Sequence, residues 1–374
     1  MSSNWRAEMN HFRRIYVGTY SRPILFGTGE VLEGKGRGIY RLLLDLDTGE
    51  LRHEGEPVEA DNPSYLCLSP DGNFLYSVNE LKEYQGQPGG GVSAYRIRRE
   101  DGSLDFLGSR PTLGTDPCHV SVNSGGTHVF VSNFMSGSVC VYPVMADGSL
   151  APHSQLIQHQ GSSVDPARQK GPHAHSLILS PDERFAFVPD LGTDHLAAYR
   201  TDFERGLLSP SADFCALPGS GPRFCEFHRN GRFCYLINEL SSTISLLYYD
   251  GNGGFTLKQT VDTVPQGCKT GNICADLHLT PDGRFLYGSN RGHDSLSVYR
   301  VDPDAGTLSW LDNIPCGGRT PRNFAVDPAG RYLIVANQDS DNILTFHIDP
   351  ADGSLTRAWE LACPTPVCVK PVRS

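Results

Sequence analysis

The sequence predicts an all-β chain: a seven-bladed β-propeller with four-stranded antiparallel blades and a ring closed by pairing N- and C-terminal strands in one blade. Three observations predict it. One strand–turn–strand unit recurs six times, the period is roughly 50 residues, and the two chain ends supply the halves of a seventh copy.

The unit is an apolar strand, a turn of the Ser-Pro-Asp-Gly type, and an aromatic-rich strand that mostly ends in Asn. It reads YLCLSPDGNFLYSVNE at 65–80, HVSVNSGGTHVFVSNF at 119–134 and SLILSPDERFAFVPDL at 176–191. It returns as FCEFHRNGRFCYLINE at 224–239, DLHLTPDGRFLYGSNR at 276–291 and NFAVDPAGRYLIVANQ at 323–338. The alternation of apolar and polar residues is the period of a strand, and Pro-Asp-Gly and Asn-Gly are turn formers. A third strand follows each unit (GVSAYRI and SLSVYRV are two of them), then a DGSL-type turn and a fourth strand.

The ends complete the ring. PVCVKP at 366–371 resembles a first strand that stops at its turn, and RRIYVGTYS (13–21) and GIYRLLLDLDTGEL (38–51) resemble the strands that follow it. Joining them leaves no open edge between blades. One domain over residues 1–374 is expected, with residues 1–12 as a flexible N-terminal extension.

Composition narrows the function. A net charge of -10 disfavours a nucleic-acid partner, because phosphate backbones require a basic surface. No run of 18 apolar residues exists, so no membrane span is expected. The N-terminus has no apolar signal-peptide core. The 11 cysteines are odd in number, lack C-x-x-C spacing and fall mostly in apolar strands. They read as free thiols in a reducing compartment, and a cytoplasmic protein is expected, monomeric or a small homo-oligomer.

Candidate site residues follow from counting away from each turn. Eight residues before it stand Ser64, Cys118, His175, Arg223, Ala275 and Arg322, with His119 and Asp276 one position later. Eight after it stand Glu80, Phe134, Leu191, Glu239, Arg291 and Gln338. Counting equally both ways is expected to set the two series opposite each other at the channel mouth. The framework repeats while these positions vary, as in a site assembled from several blades. The long connections 22–37, 81–91, 161–172 and 264–273 emerge on that same face and are expected to wall it.

These residue types suit acid–base chemistry on an anionic substrate. His175, or His173 nearby, can take a proton near neutral pH, and Glu239 can act as a base or orient a water. Arg223, Arg291 and Arg322 can hold a phosphate or carboxylate and stabilise an oxyanion. The Asn residues are expected to fix strand ends, and His278 to be structural. A metal site from His119, His173, His175, Asp190 and Glu239 is disfavoured, because three arginines would repel a cation. No G-x-S-x-G elbow supports a serine nucleophile.

The segments GPHAHSLILSPDERFAFVPDLGTD, GPRFCEFHRNGRFCYLINEL and CADLHLTPDGRFLYGSNR resemble the lactonase family of seven-bladed propellers. That family includes propeller-type 6-phosphogluconolactonase and carboxy-cis,cis-muconate cyclase. The resemblance implies catalytic roles for His175, Arg223, Glu239 and Arg291, with Arg322 matching a Pro-Arg motif of the phosphogluconolactonase-like members. Arg322, His173, His119, Asp276, Gln338 and Glu80 are the expected substrate-binding residues. The expected activity is hydrolysis of a sugar-acid lactone, foremost 6-phosphoglucono-δ-lactone of the pentose phosphate pathway, with no metal or other cofactor. The alternatives are a lactonising cyclase and a non-catalytic binding propeller.

Overall fold

A computed structural model describes residues 11–26 and 29–373. Its strands form seven successive antiparallel sheets, the blades, plus two short hairpins, Ile24–Leu25 with Val31–Leu32 and Glu83–Tyr84 with Gln87–Pro88. Blade 1 closes the ring as expected: Pro366–Pro371 is its innermost strand and pairs with Phe12–Thr19, followed by Gly38–Asp45 and Leu51–His53. Of the expected extension at 1–12, residues 1–10 lie outside the described residues, and Phe12 already belongs to a strand.

Each of blades 2 to 7 is built around one of the repeated units. Their first two strands are Leu66–Leu68 and Phe74–Asn79, Pro117–Val122 and His128–Asn133, then Ile178–Leu179 and Phe185–Asp190. Pro222–Phe227 and Phe233–Asn238, Ile273–Leu279 and Phe285–Arg291, and Pro321–Val326 and Tyr332–Asn337 complete the series.

The alternating apolar residues of these strands fill the seams between blades. One buried cluster occupies each seam; the one between blades 7 and 1 joins Ile15, Val17 and Leu42 to Ile334, Ala336 and Ile343. Such burial is the main drive to close the ring, at roughly 25 cal/mol per Å² of apolar surface. Polar ties repeat with it. Tyr16, Tyr76, Tyr235 and Tyr287 each donate a hydroxyl hydrogen bond to a turn carbonyl of the next blade, at Gly102, Gly148, Gly306 and Gly353. Between blades 7 and 1 the same tie is made by Thr345 to Gly49, at 2.7 Å.

One detail of register aims the site. Pro222 pairs with Asn238 and Phe224 with Ile237, so Arg223 is an extra, unpaired residue in a β-bulge. The shift recurs at Val367, Cys118 and Arg322, and at Ala275 and Asp276. Bulges re-aim side chains out of the ladder, and, Val367 in the closing strand aside, these are the positions eight before the turn, with the residue after it in blade 6. Equal counting from the turn therefore needs a correction. Arg223 and Glu239 are not cross-strand partners; the bulge uses up one residue, and Glu239 lies just past the strand.

Candidate active site

The channel mouth holds a cavity of about 240 Å³. Glu80, His175, Glu239, Arg291, Arg322 and Gln338 line it, so six expected residues from five different blades meet there. The Asn residues before the rim positions explain how. Asn79, Asn133, Asn290 and Asn337 each donate a side-chain hydrogen bond to a carbonyl in the preceding loop, which pins the strand end beside it. In blade 4 Asp190 takes this place and accepts from the amides of His173, Gly192 and Thr193.

Glu239 is the electrostatic centre. Its Oε1 accepts from Arg168 Nη2 at 2.8 Å, and its Oε2 accepts from Arg223 Nε at 3.0 Å and Arg291 Nη2 at 2.6 Å. Burial by itself would raise the carboxyl's pKa, but Arg291, Arg168 and Arg223 together hold it well below the usual value. Glu239 is an anion that organises three guanidiniums. Arg291 also donates to Cys274 O at 2.6 Å, and burial lowers its pKa to about 10 although Glu239 opposes the shift.

His175 is held well below the ordinary histidine pKa, by burial first and then by Arg223, with Glu239 opposing. It is a neutral imidazole at pH 7. Cys118 Sγ donates to His175 O at 3.2 Å and lies 3.8 Å from Nδ1, while Nε2 has no protein partner among the described residues.

Arg322 differs from the other arginines. Its guanidinium lies over the rings of Tyr20 and Phe26, 5.6 and 5.3 Å from their centroids, and makes no hydrogen bond or ion pair among the described residues. Burial lowers its pKa, but the nearby Tyr20, Glu80 and Glu239 raise it more, so it stays charged. Several rim acids have partners of their own: Glu80 accepts from Tyr20 at 3.0 Å, Asp116 pairs with Lys82, and Asp339 accepts from Thr320. Arg322 is therefore a cation with its donors available to a ligand.

Three expected binding residues are placed elsewhere. His119 and Asp276 sit with Arg223 in a narrower cavity below the mouth. Burial, then Lys370, keeps His119 neutral with a pKa near 3, against the pull of Asp276. Asp276 accepts from Asn323 at 2.5 Å and from His278 at 3.2 Å. His173 stacks on Phe134 at 4.7 Å, bonds its carbonyl at 3.0 Å and lines a neighbouring depression.

Connections 22–37, 161–172 and 264–273 wall the mouth through Phe26, Arg168 and Gly271. The 81–91 connection does not line it and reaches it through Asp116, which pairs with Lys82 and donates its amide to Leu81 O at 3.0 Å. Arg168, Tyr20 and Phe26 were not singled out by sequence. For Arg168 the only sign was its place in a long connection; 71 positions separate it from Glu239. Among the described residues no group of three or more His, Cys, Asp or Glu is placed to hold a metal, and no helix is long and apolar enough to cross a membrane.

Comparison with known proteins meets this geometry from another side. A family model described as "Lactonase, 7-bladed beta-propeller" matches residues 14–371. The chain is 34% identical over 313 residues to the 6-phosphogluconolactonase of Bacillus subtilis, covering 83% of this chain and 84% of that one. It is 34% identical over 298 residues to a Formosa agariphila 6-phosphogluconolactonase, covering 78% and 83%. The solved periplasmic gluconolactonase of Pseudomonas aeruginosa superposes with a TM-score of 0.89 at 35% identity, covering 97% and 99%.

Proposed function

The chain belongs to the lactonase family of seven-bladed β-propellers, and from that premise we propose that it hydrolyses a sugar-acid lactone, 6-phosphoglucono-δ-lactone foremost. The observation that carries the proposal is the mouth cavity itself, where a neutral His175 faces Glu239-bound arginines and one unpaired guanidinium, Arg322.

In the proposed reaction the lactone carbonyl lies against Arg291, and the substrate's anionic group lies on Arg322. Cys118 gives its proton to a carbonyl, so its sulfur accepts from His175 Nδ1 and leaves Nε2 as the basic nitrogen. Nε2 takes a proton from a water whose oxygen attacks the carbonyl carbon. The tetrahedral oxyanion forms beside Arg291, which Glu239 has already oriented, so little reorganisation is required. Collapse breaks the ring C–O bond, and His175 returns the proton to the leaving ring oxygen. The open aldonic acid then ionises into solvent. His175 is a weak base in the empty site; a bound phosphate would raise its proton affinity toward the working range.

An unphosphorylated gluconolactone is the second reading, favoured by the likeness to the Pseudomonas gluconolactonase. We place the protein in the cytoplasm, a reading supported by the eleven cysteines, all free. Purified protein supplied with each lactone, against its spontaneous hydrolysis, tests the activity. A higher kcat/KM for the phosphorylated lactone is expected. Equal values would favour the second reading, and no rate above background with either would sink the lactonase proposal.

A further inference from the structure

Outside the arginine cluster, blade 4 carries a second group of reactive side chains. Phe214–Cys215 is a short strand added beside His195–Asp202, with Cys215 paired to His195. Asp213 and Cys215, two residues apart, flank the His195 imidazole. Cys215 Sγ lies 3.5 Å from His195 Nε2, and Asp213 Oδ2 lies 3.5 Å from His195 Nδ1. Asp213 is itself positioned, since its Oδ1 accepts from the Ala198 amide at 2.9 Å.

The order of the three groups decides what they can do. Thiol and carboxylate sit on opposite nitrogens of one imidazole, so they cannot share a single metal ion. That arrangement instead passes a proton from sulfur to imidazole, with the carboxylate fixing the ring and stabilising its positive charge. Access is open: Cys215 is exposed, and the His195 and Asp213 side chains are 43% and 39% exposed. Nine of the eleven cysteines are at least half-buried; the other exposed one, Cys268, has no such neighbour among the described residues. A thiol beside a proton acceptor and open to solvent is the setting in which cysteines react.

We propose that Cys215 is a reactive thiol, activated by His195 and Asp213, and a site of modification by thiol–disulfide exchange with small disulfides of the glutathione type. His195 takes the thiol proton. The thiolate attacks one sulfur of the disulfide, forming the protein mixed disulfide and breaking the S–S bond. The second half leaves as a thiolate and takes up a proton from solvent. No electrons are gained or lost overall, and no further oxidant is needed. The lactonase site has no part in this.

The test uses the whole protein incubated with oxidised glutathione, with the rate at each cysteine followed by peptide mass spectrometry. Cys215 is expected to be labelled several-fold faster than Cys268. His195→Gln is expected to slow Cys215 several-fold while leaving Cys268 unchanged, and Asp213→Asn to slow it less. Thermal melting of the variants shows that these surface changes leave the fold in place. Equal labelling of Cys215 and Cys268 would overturn the proposal, as would a Cys215 rate insensitive to His195→Gln in a folded variant.

Discussion

Arg291 Nη2 donates to Glu239 Oε2 at 2.6 Å, a buried contact between residues 52 positions apart on adjacent blades. The same carboxylate holds Arg168 and Arg223, so its charge is what lets three guanidiniums crowd one channel mouth. Glu239→Gln keeps the shape and removes the charge, leaving buried cations uncompensated. Loss of one partner from a buried pair costs roughly 3–5 kcal/mol, so a clear drop in Tm is expected together with lost turnover. Unchanged melting and turnover in this variant would show that the carboxylate organises nothing.

Arg168 gives a graded version of the same experiment. Its side chain is 17% exposed and comes from a surface connection, and Glu239 keeps two arginines without it. Arg168→Ala is expected to lower Tm less than Glu239→Gln does, and to raise KM as the loop loses its anchor on the mouth. Differential scanning calorimetry and steady-state kinetics check the two halves. A Tm loss equal to that of Glu239→Gln would contradict the ranking.

His175 is the proposed proton acceptor, and its role separates from stability. His175→Gln fills most of the same space without a basic nitrogen. General-base removal typically costs about 10²–10⁴-fold in rate, and kcat is expected to fall in that range with a small change in Tm. Because burial and Arg223 depress its pKa, the acid limb of kcat/KM for the intact protein should lie below pH 6.5. A variant with wild-type kcat would remove His175 from the mechanism.

Much of this arrangement is legible in the sequence, because the propeller writes its geometry into a repeat. The turn at each Pro-Asp-Gly sets a ruler, and residues at equal distance from it share a level of the channel. The ruler failed by one residue where bulges interrupt it, since a two-against-one pairing leaves no mark on apolar alternation. It also could not tell mouth from depth: Ser64 and Arg223 share their place on the ruler with Cys118, His175 and Arg322, yet they line the narrower cavity with His119 and Asp276 and not the mouth. Arg168 was hidden for a different reason. It belongs to an irregular loop whose path depends on tertiary contacts, so nothing in its local sequence points at Glu239.

Arg322 is the residue that should read the substrate's charge. Its guanidinium lies over Tyr20 and Phe26 and has no carboxylate bonded to it among the described residues, so a bound anion would add charge-assisted hydrogen bonds. Such bonds contribute about 1.5–3 kcal/mol, equivalent to roughly 10- to 100-fold in affinity. Arg322→Gln is expected to raise KM for the phosphorylated lactone by that factor and to change kcat little. The unphosphorylated lactone should be affected less. An equal effect on both would mean that Arg322 contacts the sugar ring or carbonyl instead.

The lower channel makes a prediction in the opposite direction of pH. His278 sits between Glu226 Oε2, 2.8 Å from Nδ1, and Asp276 Oδ2, 3.2 Å from Nε2. Burial would lower its pKa, but Asp276 and Glu226 raise it to about 10. A folded pKa above the unfolded value near 6.5 means that the folded chain binds more protons between the two. Its contribution is complete below pH 6.5 and is lost as pH rises toward 10. His119 and His175 act the other way: their folded pKa values are depressed, so their contribution is present above pH 6.5 and fades as pH falls. Chemical denaturation from pH 4 to 10 is expected to show greatest stability near pH 6.5, with a decline on either side. His278→Gln should be less stable at neutral pH yet lose most of the slope between pH 6.5 and about 8.5, below the range where the buried thiols, whose pKa values burial also raises, add their own. If that slope persisted in the variant, an imidazolium bridging Glu226 and Asp276 would not be its source.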